Sequence, residues 1–114
     1  MREDKLGDLS MELSVDVLQL TKELRAKHEN VISNQIGRSA TSICANIAES
    51  KYAHGRADFI AKLQIALKEC SETEYWIELI LESGYYNDKN LLDKCTEIKR
   101  ILIASINTAK ENTK

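Results

Sequence analysis

The sequence predicts an all-α protein, specifically an up-down-up-down antiparallel four-helix bundle. Its 114 residues contain no proline and only four glycines, so few positions interrupt a helix. Apolar residues recur every three or four positions along four stretches, which is the period of a helix and not of a strand. The connections between the stretches are short, and short connections make neighbouring helices antiparallel. We expect residues 1–114 to form a single domain.

The first two helices are predicted at about residues 8–27 and 31–52. A turn at 28–30 separates them, with Asn30 as the expected N-cap of the second helix. Val15 and Leu18 are expected to widen the buried face of the first helix. The core stripe of that helix is Leu9, Leu13, Val17, Leu20 and Leu24.

The third and fourth helices are predicted at about residues 57–83 and 88–109. Gly84 follows the third helix, where a left-handed residue commonly ends a helix, and Asn87 and Asp88 restart the chain. In the fourth helix, Ile103 is one of the residues expected to broaden the core stripe.

The second helix has an unusual surface. Between Ile32 and Ala48 its only charged residue is Arg38, whereas a surface helix normally has a charged outer face. We therefore expect this helix to be covered both by its own fold and by another subunit. The candidate subunit contacts are the small residues of this helix and two aromatic residues of the third: Gly37, Thr41, Ala45, Ala48, Tyr75 and Trp76.

A polar seam is predicted between the second and third helices. With the turn centred near His54, antiparallel pairing places Arg38 level with Cys70, and therefore near Glu69 and Glu72. A partly buried arginine needs such partners, because an unpaired buried charge is costly. Five further polar residues lie in one stripe of the second helix beside Arg38: Gln35, Ser39, Ser42, Asn46 and Glu49. We expect them to complete the hydrogen bonds of the seam.

Other interpretations of these residues remain open. Arg38, Glu69 and Glu72 are the residues on which a small enzyme would depend, but no histidine is predicted beside them, so no catalytic residue is assigned. Lys51, His54, Arg56 and Lys62 form a basic cluster at one end of the bundle. This cluster is either a solvated end, with Lys62 paired to Glu49, or a phosphate or nucleic-acid contact.

Composition limits the classes of function. The formal net charge is −2, which argues against a nucleic-acid binder, and there is no apolar run long enough to cross a membrane. The first residues do not resemble a secretory signal, so we expect a cytoplasmic protein. No Glu-x-x-His, glycine-rich phosphate loop or H-E-x-x-H motif is present, and we assign no metal or cofactor. The three cysteines are expected to be buried thiols, with a redox or metal role as the alternative.

Two blocks of sequence resemble a known family. Residues 35–49 read Q-x-x-R-S-A-x-S-I-x-x-N-I-A-E, and the second block spans 58–76 and ends in E-T-E-Y-W. Together they resemble the bacterial four-helix-bundle proteins named after 23S rRNA intervening sequences, over about residues 10–108. Ser50 stands where many members carry glycine, so we expect the second helix to continue slightly further here.

The resemblance implies a four-helix bundle that forms a homopentamer and carries no enzymatic activity. It also extends to the accessory variability proteins of retroelement reverse transcriptases, which are basic pentamers that contact the polymerase and nucleic acid. The sequence is therefore interpreted as a self-associating interaction module of uncharacterised role. An accessory protein that binds RNA or a polymerase through an oligomeric ring is the first alternative.

Overall fold

The computed structural model describes residues 4–86 and 88–111, which form four α-helices and, within these ranges, no strand. The helices are α1 (Lys5–Ala26), α2 (Asn30–Ser50), α3 (Arg56–Ser83) and α4 (Asn90–Glu111). Each helix packs against two others, in the cyclic order α1, α2, α3, α4. The bundle measures 50 × 27 × 20 Å. The predicted four-helix bundle is confirmed.

All four helices contribute one apolar stripe to a common core. Burying each large aliphatic side chain stabilises the fold by roughly 1.5–3 kcal/mol. The largest fully buried aliphatic residues are Leu13, Val17, Leu24, Ile36, Ile43, Leu63, Ile77, Ile80, Ile98 and Leu102. Their spacing of three or four residues along each helix follows from the helical period.

Most helix ends differ from the prediction by one to three residues, and α4 begins and ends two residues later than expected. α1 begins at Lys5, earlier than expected, because the Asp4 carboxylate accepts a hydrogen bond from the backbone N–H of Gly7 at 3.0 Å and caps the helix. Asn30 was expected to cap α2 but is its first helical residue. α2 ends at Ser50 and not beyond it.

The connection between α3 and α4 follows the predicted pattern at Gly84. This residue has φ 80° and ψ 7°, in the left-handed region, and its N–H donates to the carbonyl of Leu81 at 3.2 Å. The structure thus confirms a glycine C-cap. The side chain of Asp88 accepts from the backbone N–H of Asn90 at 2.9 Å. Asn87, predicted to help restart the chain, lies outside the described residues.

Some residues assigned to the core are instead exposed. Val15 and Leu18 on α1 are each 49% exposed, and Ile103 on α4 is 43% exposed. The prediction that these residues widen the core is wrong. Among the four helices, α1 contacts only α2 and α4, and α4 contacts only α3 and α1. The outer side of each of these two helices is therefore not covered by another helix of residues 4–86 and 88–111.

Candidate functional site

The polar cluster between α2 and α3 is built around Arg38. Its Nη1 donates to Oε2 of Glu69 at 2.7 Å, and its Nη2 donates to Oε2 of Glu72. The Arg38 side chain is half exposed, whereas the side chains of Glu69 and Glu72 are 11% and 31% exposed. Glu69 and Glu72 lie one turn apart on α3, so one guanidinium fork reaches both carboxylates.

Trp76 extends this cluster by one further turn of α3. Its Nε1–H donates to the same Glu72 oxygen at 3.0 Å. The hydrogen bonds from Trp76 and then from Arg38 lower the pKa of Glu72, and those to Glu72 and Glu69 raise the pKa of Arg38. Glu72 is therefore ionised and Arg38 is charged at neutral pH, so the two form an ion pair.

Two other residues of the predicted seam differ in their contacts: Ser39 reaches α3 within the core, whereas Asn46 bonds to its own helix. Ser39 is fully buried, and its Oγ lies 2.8 Å from the Thr73 hydroxyl, which is also 2.8 Å from the carbonyl oxygen of Glu69. Asn46 instead bonds within α2, donating to the carbonyl and hydroxyl oxygens of Ser42 at 2.9 and 3.2 Å. The two residues lie four positions apart, so this local contact forms in place of one to α3.

Gln35 does not take part in the seam as the sequence suggested. Its side chain is exposed, and the hydrogen bonds described for residues 4–86 and 88–111 do not include it. Water satisfies an exposed amide, so no protein partner is needed. Every buried side-chain nitrogen and oxygen in the described ranges has a partner.

The basic end of the bundle is matched by carboxylates. Lys62 donates to Glu49 at 2.9 Å, and Lys51 donates to Asp4. Each bond raises the pKa of its lysine. His54 is exposed, with its backbone N–H bonded to Asp58, and Arg56 is the first residue of α3.

An open cleft of about 1050 Å³ lies at this end of the bundle, lined by Lys51, Arg56 and Phe59 together with the end of α4. Arg38 and its two glutamates are not part of this cleft.

The outward side of α2 is made of small residues. Ala45 and Ala48 are exposed, and Gly37 and Thr41 are half-buried. The Thr41 hydroxyl donates to the carbonyl of Gly37 at 2.8 Å, so its hydrogen-bonding capacity is met within its own helix. This side of α2 therefore presents a nearly flat surface without charge.

A ridge of three exposed apolar side chains on α1 runs beside this surface. Met11, Val15 and Leu18 are 57%, 49% and 49% exposed. Met11 and Leu18 flank Ser14, whose hydroxyl donates to the carbonyl of Ala40 on α2 at 3.4 Å, so the ridge follows the line of contact between the two helices. We call this surface the α1–α2 face. It consists of Met11, Val15, Leu18, Gly37, Thr41, Ala45 and Ala48.

Sequence reasoning missed the α1 part of this face. The signal was present, because Met11, Val15 and Leu18 form a second apolar stripe at i, i+4 and i+7. The stripe is bounded by charged residues one helical turn before Met11 and one turn after Leu18, namely Asp8 and Lys22. A helix with two apolar stripes has more apolar surface than one core can cover.

The two aromatic candidates lie on α3, away from the α1–α2 face. Tyr75 is 58% exposed and Trp76 is half-buried. Their rings meet edge to face, with centroids 5.0 Å apart. Trp76 is held by Glu72, whereas Tyr75 presents most of its ring to solvent.

The described residues give no geometric support for metal binding or membrane insertion. No group of three or more histidine, cysteine or acidic side chains in residues 4–86 and 88–111 is arranged to hold a metal ion. Within the same ranges, no helix combines the length and the apolar character needed to cross a membrane.

Comparison with known proteins identifies relatives of this fold and sequence. A crystal structure at 1.70 Å resolution of a protein of unknown function from the S23 ribosomal protein family of Bacteroides thetaiotaomicron VPI-5482 is 46% identical. It superimposes with a TM-score of 0.86 over 89% of this chain and 97% of that one. No curated protein matches the sequence. The family model described as 23S rRNA-intervening sequence protein matches residues 3–104. The chain therefore belongs to the family of 23S rRNA-intervening sequence proteins.

Proposed function

We propose that this protein is a non-enzymatic interaction module that self-associates through the α1–α2 face. The observation that carries the proposal is the ridge formed by Met11, Val15 and Leu18 beside the uncharged side of α2. Three neighbouring aliphatic side chains about half exposed to water are unfavourable for an isolated subunit. Interface cores are depleted in charge, as this face is.

The small residues of α2 suit a close helix contact. Ala45 and Ala48 have no side chain long enough to hold another backbone away, and their burial immobilises no rotamers. The ridge on α1 would then supply most of the apolar area, at about 25 cal/mol for each Å² removed from water. A second copy of the chain is the proposed occupant.

The number of subunits rests on the family and not on this geometry. We propose a ring of five. A ring requires each subunit to present two different surfaces, because a head-to-tail contact does not pair a surface with itself. Tyr75, exposed on α3 away from the α1–α2 face, is the proposed contribution to the opposing surface.

The cytoplasm is the proposed location. The three cysteines are unpaired, as expected for a protein kept in a reducing compartment. No role as an enzyme is proposed, because the polar groups of Arg38, Glu69 and Glu72 are engaged with one another.

RNA or polymerase binding is the alternative function. The family name refers to 23S rRNA, but two of the four candidate anion contacts, Lys51 and Lys62, are already paired with carboxylates. Those pairs reduce the net attraction for phosphate, which is why self-association is preferred here.

Light scattering of the purified protein at two salt concentrations, with and without a short structured RNA, tests both functions. A pentamer mass that is independent of salt and RNA supports the interaction module. A salt-sensitive increase in mass on adding RNA favours the alternative. A monomer under all conditions contradicts self-association.

A further inference from the structure

Two buried cysteines face each other across the contact between α3 and α4. Cys70 and Cys95 are both fully buried, and their sulfur atoms are 3.4 Å apart. Cys70 Sγ also lies 3.3 Å from the carbonyl oxygen of Cys95, and Cys95 Sγ lies 3.4 Å from that of Cys70. Since each sulfur reaches the other helix's backbone, the two helices approach closely at this level.

This arrangement is close to that of a disulfide. A sulfur–sulfur bond is about 2.05 Å long, so the two atoms need to approach by a little more than 1 Å. A small side-chain rotation or helix shift is sufficient, because the two helix backbones are already close together. The remaining cysteine, Cys44, lies half-buried on α2 and is not part of this contact.

We propose that Cys70 and Cys95 are a redox modification site, at which a small-molecule disulfide such as oxidised glutathione links α3 covalently to α4. One cysteine thiolate attacks oxidised glutathione, forms a mixed disulfide and releases one glutathione thiolate. The second cysteine thiolate then attacks the protein sulfur of that mixed disulfide and releases the other. The protein loses two electrons and two protons, and oxidised glutathione becomes two reduced molecules.

Burial makes this reaction slow in the closed bundle. The neighbouring thiol and the apolar surroundings raise the pKa of Cys95 far above its usual range, so its thiolate is scarce while α3 and α4 are packed. Oxidation therefore requires the contact between the two helices to open. The bond, once formed, closes the segment from Cys70 to Cys95 and lowers the entropy of the unfolded chain.

The test uses Cys44→Ala, which keeps the facing pair and removes the third thiol. After prolonged incubation with excess oxidised glutathione, we expect an intact mass lower by two hydrogen atoms and a peptide cross-link between Cys70 and Cys95. We expect the melting midpoint to rise by about 10 °C and to return on reduction.

Cys95→Ala is the matched control, because it also keeps two cysteines, Cys44 and Cys70, in different parts of the fold. It should form no internal disulfide under the same conditions. The proposal is overturned if both thiols of Cys44→Ala remain free to alkylate after incubation at temperatures where the bundle opens. It is also overturned if the control cross-links as readily, or if the oxidised protein melts below the reduced one.

Discussion

The guanidinium of Arg38 on α2 reaches across the helix contact to Glu69 on α3, with Nη1 2.7 Å from Oε2. The Arg38 side chain is half exposed, so water can solvate it if the pair is broken. The Glu69 side chain is only 11% exposed, so losing the pair costs Glu69 more than it costs Arg38. Such a pair fixes the register of two helices even where it adds little net stability, because any other register leaves Glu69 buried without a partner.

Replacing Arg38 by methionine should therefore destabilise the protein by about 1–3 kcal/mol, since Glu69 loses its cation while remaining buried. Urea unfolding at a fixed protein concentration measures this free energy. Lys62→Met is the matched control, because it also removes a cation that pairs across α2 and α3. Its partner Glu49 is 58% exposed and solvated by water, so the expected loss is clearly smaller than that for Arg38→Met. Equal losses would show that the burial of Glu69 does not matter.

The buried hydroxyls of Ser39 and Thr73 should be strongly coupled. Thr73→Val or Ser39→Ala alone removes one partner of a buried hydrogen bond and should cost about 1–2 kcal/mol. The double variant should cost less than the sum of the two, because each single variant already removes the bond that the two hydroxyls share. The bonds of Thr73 to the Glu69 carbonyl and of Ser39 to the Ile36 carbonyl lie within their own helices and do not couple the two positions. Urea unfolding of the wild type, the two single variants and the double variant gives the coupling free energy between the two hydroxyls. If the stability loss of the double variant equals the sum of the two single losses, the two hydroxyls do not interact.

The fold and the centre of the polar cluster follow from the sequence because both depend on the helical period. Antiparallel pairing about His54 puts Arg38 near Glu69 and Glu72, as observed. The helical period does not show how much of an apolar stripe is covered by a neighbouring helix. For this reason the sequence places Val15 and Leu18 in the core, whereas both are about half exposed in the structure.

The polar residues show the same limit of sequence patterns. A stripe places Asn46 on the side of α2 that faces α3, but its amide also reaches Ser42, one turn earlier on its own helix. The choice between those two partners depends on the distance between helices, which no pattern within one helix provides.

A charge placed on the α1–α2 face should dissociate the oligomer without unfolding the subunit. Ala45→Glu and Leu18→Glu each introduce a carboxylate at an exposed position of a helix, where the isolated subunit accommodates it. Buried against a second copy, the same carboxylate would lose its hydration. We expect light scattering to show monomers and circular dichroism to show unchanged helix content.

Ile103→Glu provides the control for these variants. Ile103 is 43% exposed, close to the value for Leu18, but lies on α4 outside the α1–α2 face. The oligomer should persist in this variant. If Ile103→Glu dissociates the oligomer and Leu18→Glu does not, the subunits meet through α4 and the proposed surface is wrong.

The glycine that ends α3 should tolerate substitution poorly. Gly84 has φ 80°, so alanine there would be forced into the left-handed region at a cost of about 1–2 kcal/mol, although no atom lies within 4 Å of the added Cβ. Gly55 precedes α3 with an extended backbone at φ 176° and equally open space, so Gly55→Ala should change stability by less than about 0.5 kcal/mol. Urea unfolding distinguishes backbone strain from steric clash. A cost of similar size at both positions would argue against strain at Gly84.

Stability should depend on the ionisation of Glu72. Its pKa in the folded protein lies below the ordinary value of 4.5, chiefly because Trp76 and then Arg38 bond to the charged form. A lowered pKa means that ionised Glu72 stabilises the fold at pH values above 4.5. That contribution disappears as the pH falls through the pKa of the folded state. Glu72→Gln should therefore be less stable than the wild type at neutral pH, and the difference should narrow under acid conditions.

The Trp76 N–H should be the largest single cause of this pKa shift. Trp76→Phe keeps an aromatic ring but removes the donor 3.0 Å from Glu72, so the pKa of Glu72 should rise toward 4.5. Carbon-13 NMR of the Glu72 carboxyl group measures that pKa directly. Tyr75→Phe is the control, because the Tyr75 ring packs edge to face against Trp76 but donates no hydrogen bond to Glu72. This variant should leave the pKa of Glu72 unchanged. A Glu72 pKa that is unchanged by Trp76→Phe would show that the shift comes from the neighbouring cations, Arg38 first and then Lys68.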